Sequence, residues 1–218
     1  MASSLGKSIS YDPEDAIIHK MLYRIFDDMA QCSEQEIARL LPIVSLQRRE
    51  QALRFSHTLG RYCCLKSYEI LMELLQEWYT GTDNLQDATP EFLYNEYGAP
   101  YILNGPFFSI SHCKQGIAVV ISDIPVGIDI EGLRKVDEGL IRKTMNADEQ
   151  MQIYSSNAPE LEFIRLWTRK EAFVKMQGTG IISDMHTILS DISQPIHWTE
   201  YTNRAKRYVY SICAGNLD

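Results

Sequence analysis

The sequence predicts an α+β fold with two sub-lobes, each with helical patterning followed by strands. Three observations carry that prediction. Residues 33–79 hold capped helical patterning, with Ser33 and Glu36 at its start. Three short, β-branched-rich runs then follow, Phe107–His112, Ile117–Ser122 and Val126–Glu131. The order recurs in a helical region ending near Gln177 and strand-like stretches around Thr187–Ile192, Ile196–Thr202 and Arg207–Ala214. The 218 residues suit one large domain or two small ones, and the change of texture divides them into 1–124 and 125–218.

Along the chain, residues 12–28 fit a helix or an alternating strand about equally well, and a strand is expected across 17–26. Ser33 opens a helix that Pro42 closes. Ser45 to Tyr79 supports one or two helices, with Gly60 as the expected break. Residues 81–90, GTDNLQDATP, read as a polar loop. Asn146 with Glu149 caps a short helix, and Pro159 opens an amphipathic one that Gly178 and Gly180 terminate.

Composition excludes several classes. Apolar residues at 45% and charged residues at 23% suit a chain with a real core, so wholesale disorder and a fibrous fold are excluded. No apolar run approaches the ~18 residues of a membrane span. The start, MASSLGKSISYDPEDA, has no apolar stretch behind its lysine, so no signal peptide is read there and a cytoplasmic protein is expected. A net charge of −8 is the wrong sign for a general nucleic-acid binder. The basic residues nevertheless cluster: Arg48, Arg49, Arg54, Arg61 and Lys66 in one stretch, Arg165, Arg169, Lys170 and Lys175 in another. Such runs are solvated helix faces or a local site for a small polyphosphate. The five cysteines lack CxxC or Cys/His metal spacing, so zinc is not expected, and Cys63 and Cys64 read as core residues.

Two acidic motifs point to chemistry. In PVGIDIE (Pro125–Glu131), strand alternation puts Val126, Ile128 and Ile130 on one face and Gly127, Asp129 and Glu131 on the other. Two neighbouring carboxylates repel and are tolerated best with a cation between them; the alternative is an ordinary half-exposed strand whose polar face is acidic. In LWTRKEAFVKMQGTG (Leu166–Gly180), Trp167, Glu171 and Lys175 share a helix face. Glu171 and Lys175 form either an ordinary intrahelical pair or part of a site in which Glu171 is a third carboxylate facing Asp129 and Glu131. Three oxygen ligands with open positions suit Mg²⁺ bound with a substrate phosphate. In PFFSISH, Ser111 and His112 point to opposite faces of a strand, which disfavours a nucleophile–base pair. They read as hydrogen-bond donors to a ligand or as buried structural polar residues.

Together GIDIE, the W-x-x-KEA-x-x-K helix, the ISH strand and the upstream YGAP resemble, in order and separation, the 4′-phosphopantetheinyl transferases of the surfactin-synthetase-activating type. The resemblance covers roughly residues 48–180. It implies a pseudo-two-fold pair of α+β lobes with coenzyme A in the cleft between them. It also implies Mg²⁺-dependent transfer of the phosphopantetheine arm to a serine of an apo acyl or peptidyl carrier protein, with release of 3′,5′-ADP. By the same resemblance Asp129, Glu131 and Glu171 are the metal ligands. Glu171, or a metal-bound water, is the base for the carrier serine. Lys175 contacts the coenzyme's phosphates, and Lys170, Asp129, Gly98, Pro100 and Ser111 are placed at the coenzyme. His112 binds the 3′-phosphate together with Arg61 or Arg54.

One position departs from the family: Ala99 stands where its members often carry a lysine that contacts coenzyme A. Losing such a charge-assisted contact costs ~1.5–3 kcal/mol, a ten- to hundredfold weakening. A non-catalytic protein that binds coenzyme A or a carrier is the alternative that Ala99 leaves open. The carrier is expected to dock on Arg134–Lys135, Arg142–Lys143 or the Ala147–Tyr154 helix, and the enzyme to work as a monomer without membrane or nucleic acid.

Overall fold

In the computed structural model, residues 4–11, 18–80, 90, 92–180, 184–190 and 195–215 are described, with side chains omitted for 4–11 and 18. Strands β1 (Ser4–Tyr11), β2 (Ile18–Phe26), β5 (Phe107–Cys113) and β6 (Gly116–Ser122) form an antiparallel sheet in the order β1-β2-β6-β5. Strands β7 (Val126–Gly132), β8 (His197–Asn203) and β9 (Tyr208–Ala214) form a second antiparallel sheet in the order β7-β9-β8. A short hairpin pairs β3 (Phe92–Tyr94) with β4 (Pro100–Ile102). Helices α1 (Glu34–Leu40), α2 (Leu46–Leu53) and α3 (Thr58–Tyr79) precede the hairpin; α4 (Glu138–Thr144), α5 (Ala147–Ser155) and α6 (Pro159–Gln177) lie between β7 and β8. The α+β class is as the sequence predicts.

Strand alternation explains the layering. On β6, Ile117, Val119 and Ile121 enter the core beneath α3, while Ala118 and Val120 enter a second core shared with β7 and β9. A strand buried on both faces needs the near-continuous apolar run that GIAVVIS supplies. From β7, Val126, Ile128 and Ile130 meet Tyr208, Tyr210 and Ile212 of β9 in that second core. The two sheets therefore face each other, with α3 behind the first and α6 behind the second.

Helix α6 lies on the other face of β7, and residue 127 sets how close it comes. A Cβ built on Gly127 would stand 1.9 Å from the Ala172 carbonyl oxygen and 2.6 Å from the Met176 nitrogen. Both are helix backbone and cannot rotate aside. Flanking this contact, the Thr168 and Ser211 hydroxyls bond at 2.8 Å, and Ala172 and Met176 pack on Cys213.

Several elements differ from the sequence reading. The break between α2 and α3 falls at residues 54–57, and Gly60 lies inside the first turn of α3. His57 Nδ1 accepts from the Gly60 N–H at 2.9 Å, and a Cβ at residue 60 would strike the His57 and Phe55 rings. That glycine answers close approach rather than helix breaking. Residues 187–190 are turns instead of a strand: Thr187 bonds to Asp184, and Met185, Ile188 and Leu189 pack on Val174. Residues 191 and 192 lie outside the described residues, as does the loop at 81–89. Strands β1, β3 and β4 and helix α4 carry too little periodicity to be read from sequence. Asn146 and Glu149 form the expected capping box on α5, and Gly178 ends α6 at φ 67°.

Substituting Gly127→Ala is expected to cost about 3 kcal/mol by forcing α6 off β7. This should appear as a fall of roughly 6–12 °C in the midpoint of thermal unfolding followed by circular dichroism.

Candidate active site

The site is built where β5, β7 and α6 meet. On β5, Ser109 and Ser111 share a face and both reach β7. Ser109 Oγ accepts from the Ile128 N–H at 3.2 Å, and the Ser111 hydroxyl donates to Asp129 Oδ1 at 2.7 Å. From α6, Lys175 Nζ donates to the same Asp129 oxygen at 2.7 Å. Asp129 is 4% exposed, and its second oxygen, Oδ2, is buried with no hydrogen-bond partner. A buried carboxylate with one oxygen doubly bonded and the other bare has unused capacity to bind a cation or a donor.

Glu131 and Glu171 complete the cluster electrostatically. Burial, and then the Asp129 charge, push the Glu171 carboxyl above its ordinary range, with Lys175 opposing. Burial and Asp129 raise Glu131 in the same way, with Glu171 adding to the rise and Arg134 and Lys175 pulling it back. Glu131 and Glu171 thus both feel the Asp129 charge. Among the described residues, no three His, Cys, Asp or Glu side chains stand ready-made as a metal cage. The donor set is nonetheless all hard oxygen, and the bare Asp129 Oδ2 lies in it, which fits a cation such as Mg²⁺.

Lys175 reaches across to β7 and bonds Asp129, so the simple intrahelical pair with Glu171 is not its main contact. Trp167, on the same stripe, stacks on Phe163 with ring centroids 6.0 Å apart and serves packing. Ser111 is buried with its hydroxyl given to Asp129, whereas His112 on the opposite face is exposed. Partial desolvation and then the Lys175 charge push the His112 imidazole below its ordinary value, which puts His112 within the field of the cluster.

Other expected residues make contacts of their own. Lys170 is fully buried, its ammonium bonded to Thr144 O, Glu149 Oε2 and Met185 O, so the coenzyme contact expected of it is corrected. Arg61 Nη2 bonds to Glu34, and Arg54 is an exposed residue ending α2. The basic clusters are largely committed internally. Arg48 lies over Tyr68, Arg49 bonds to Leu41 O, Lys66 to Glu69 and Arg165 to Glu200, and Arg169 lies over Trp198.

Gly98, at φ 79°, and Pro100 belong to the tip of the β3–β4 hairpin. There Asn95 Oδ1 accepts from the Tyr97 and Ala99 N–H groups, and Asn95 Nδ2 donates to Gly178 O at 2.8 Å. This bond ties the YGAP turn to the end of α6, less than one turn beyond Lys175. The sequence reading missed Asn95 and Ser109. Both left signals: an Asn opening an N-x-x-G turn, and the period-2 spacing of Ser-Ile-Ser.

Comparison with known proteins places the chain in a family. The sequence model of the 4′-phosphopantetheinyl transferase superfamily matches residues 125–213, the span holding β7 and α6. The 4′-phosphopantetheinyl transferase AcpT of Salmonella typhi is 37% identical over 130 residues, covering 53% of this chain and 67% of that protein. The chain belongs to the 4′-phosphopantetheinyl transferase superfamily. Two further transferases of the superfamily are similar over more of its length. The 4′-phosphopantetheinyl transferase ffp of Bacillus subtilis is 29% identical over 164 residues, covering 73% of this chain and 71% of that protein. The 4′-phosphopantetheinyl transferase psf-1 of Bacillus pumilus is 28% identical over 166 residues, covering 74% and 70%. No helix among the described residues is long and apolar enough to cross a membrane.

The raised carboxyls make stability depend on pH. In the unfolded chain Glu131 and Glu171 lose their protons near the ordinary value of 4.5; in the folded chain they hold them to higher pH. Between those values folding takes up protons, so stability falls as pH rises, and the cost persists above both. With divalent cations chelated, Glu131→Gln and Glu171→Gln are each expected to raise the unfolding midpoint at pH 7.5. The gain should vanish at pH 4, as thermal melts across that range would show.

Proposed function

We propose that the β5–β7–α6 site transfers the 4′-phosphopantetheine arm of coenzyme A to a serine of an apo acyl or peptidyl carrier protein. The observation that carries this reading is the convergence on Asp129 of Lys175, the two raised glutamates and a bare buried oxygen. In the reaction the serine oxygen attacks the β-phosphorus of the coenzyme's diphosphate. A P–O bond forms there, the bond to 3′,5′-ADP breaks, and the serine proton leaves to a base.

Charge grows on phosphoryl oxygens, so the protein's task is to position the reactants and offset that charge. Lys175 holds a fixed positive charge beside the diphosphate, and its bond to Asp129 keeps it aimed. Asp129, Glu131 and Glu171 would hold Mg²⁺, which when bound supplies charge neutralisation at the phosphoryl oxygens. Ser111 orients Asp129 for that task. Glu171 takes the serine proton. His112, with Arg54 or Arg61, receives the 3′-phosphate, and the Gly98–Pro100 turn, held by Asn95, borders the coenzyme. Ala99 leaves that turn without the lysine common in the family. The two lobes, divided near residue 125, flank the cleft that holds the coenzyme.

A carrier that is itself acidic meets a chain of net charge −8, so its docking surface must be locally basic or apolar. Arg134, Lys135, Arg142 and Lys143 are exposed, and beyond them α5 presents Met151 at 67% and Tyr154 at 52% exposure.

Incubation with coenzyme A, Mg²⁺ and an apo carrier should add the mass of one phosphopantetheine arm to the carrier. Glu171→Ala should abolish the gain, and Lys175→Ala should lower kcat/KM about ten- to hundredfold. No mass gain across fatty-acid, polyketide and peptide carriers would overturn the reading. The double charge reversal R142E/K143E is expected to lower kcat/KM for the carrier about tenfold while leaving the KM for coenzyme A unchanged, as steady-state kinetics would measure.

A further inference from the structure

Lys170 is a buried cation that the reaction does not use. It is fully buried, and its three N–H donors have three acceptors: Thr144 O at 3.1 Å, Glu149 Oε2 at 2.6 Å and Met185 O at 2.6 Å. These belong to the end of α4, the first turn of α5 and the 184–190 segment. Glu149 is fixed in turn, because it also accepts from the Asn146 N–H at 2.8 Å in the capping box of α5. One ammonium therefore gathers three separate segments onto the rear of α6.

At about 100° per residue, Lys170 projects from α6 roughly opposite the Thr168–Ala172–Met176 stripe that meets β7 and β9. The front contact at Gly127 sets how near α6 lies to β7. Roll about the helix axis is set by side-chain contacts: Thr168–Ser211 and Lys175–Asp129 hold the front, Lys170 holds the rear, and Glu171 is the next residue after Lys170.

We propose that Lys170 is a positioning residue: by tying the rear of α6 to α4, α5 and the 184–190 segment, it sets the roll that turns Glu171 toward Asp129 and Glu131. This rests on the role given to Glu171 above. Lys170 touches no reacting group, and its charge is satisfied within the protein.

The single substitution Lys170→Met would strand the Glu149 carboxylate, and a broken buried pair destabilises strongly, whereas removing both charges is often neutral. The deciding variant is therefore K170M/E149Q, in which glutamine preserves the capping box. Its unfolding midpoint is expected within about 3 °C of the unsubstituted protein. Its kcat for carrier modification should fall about ten- to hundredfold, because a reacting group is displaced. Its KM for coenzyme A should stay within about twofold, because no ligand contact is lost.

Recovery of kcat together with the midpoint would show that Lys170 serves stability alone, and a raised KM with kcat kept would make it a ligand contact; either overturns the proposal. A second readout needs no turnover. The rise in unfolding midpoint on adding MgCl₂ should shrink in K170M/E149Q as it does in E171Q, and an undiminished rise in the double variant overturns the proposal. Failure of the underlying reading is separately visible: E171Q would then transfer as fast as the unsubstituted protein, whatever the double variant does.

Discussion

Helix α6 can lie on β7 because residue 127 carries no side chain, and the remaining site geometry depends on that approach. With the Ala172 carbonyl oxygen 1.9 Å from where a Cβ would be, the helix backbone sits almost against the strand. Lys175, one turn further on, can then reach Asp129 across the gap. A helix held off by the thickness of a methyl group would leave that ammonium short of its partner. The glycine of GIDIE is thus a spacing device beside the two acidic residues.

The cluster so formed is costly by itself. Three carboxylates are partly or fully buried around one lysine, and two of them are held above the ordinary carboxylate range by burial and by Asp129. Asp129 gives one oxygen to Ser111 and Lys175 and leaves the other bare. Such an arrangement lowers the stability of the empty protein and favours whatever positive charge completes it. The surrounding cores of two facing sheets hold these groups in place.

Several cations of the two basic clusters are committed within the protein. Arg48, Arg49, Lys66, Arg165, Arg169 and Lys170 each meet a carboxylate, a carbonyl or an aromatic ring. The density of basic residues that suggests a polyphosphate site is in large part the internal wiring of α2, α3 and α6. Lys170 and Lys175 differ by five residues on one helix. One is spent behind it and the other in front, because a helix distributes neighbours around its axis.

Local features were therefore legible in the sequence itself. The strands from Phe107 to Glu131, the capping box at Asn146, the end of α6 at Gly178 and the acidic face of β7 follow from side-chain periodicity and capping chemistry, which act over a few residues. Tertiary structure decided the rest. It decided that Gly60 accommodates two rings rather than breaking a helix, that Ser111 serves Asp129, that Asn95 ties a hairpin to the end of α6, and that Lys170 belongs to the rear of its helix. Each of these depends on which groups long loops bring within a few ångströms, and contacts between residues so far apart leave no period in the chain to read.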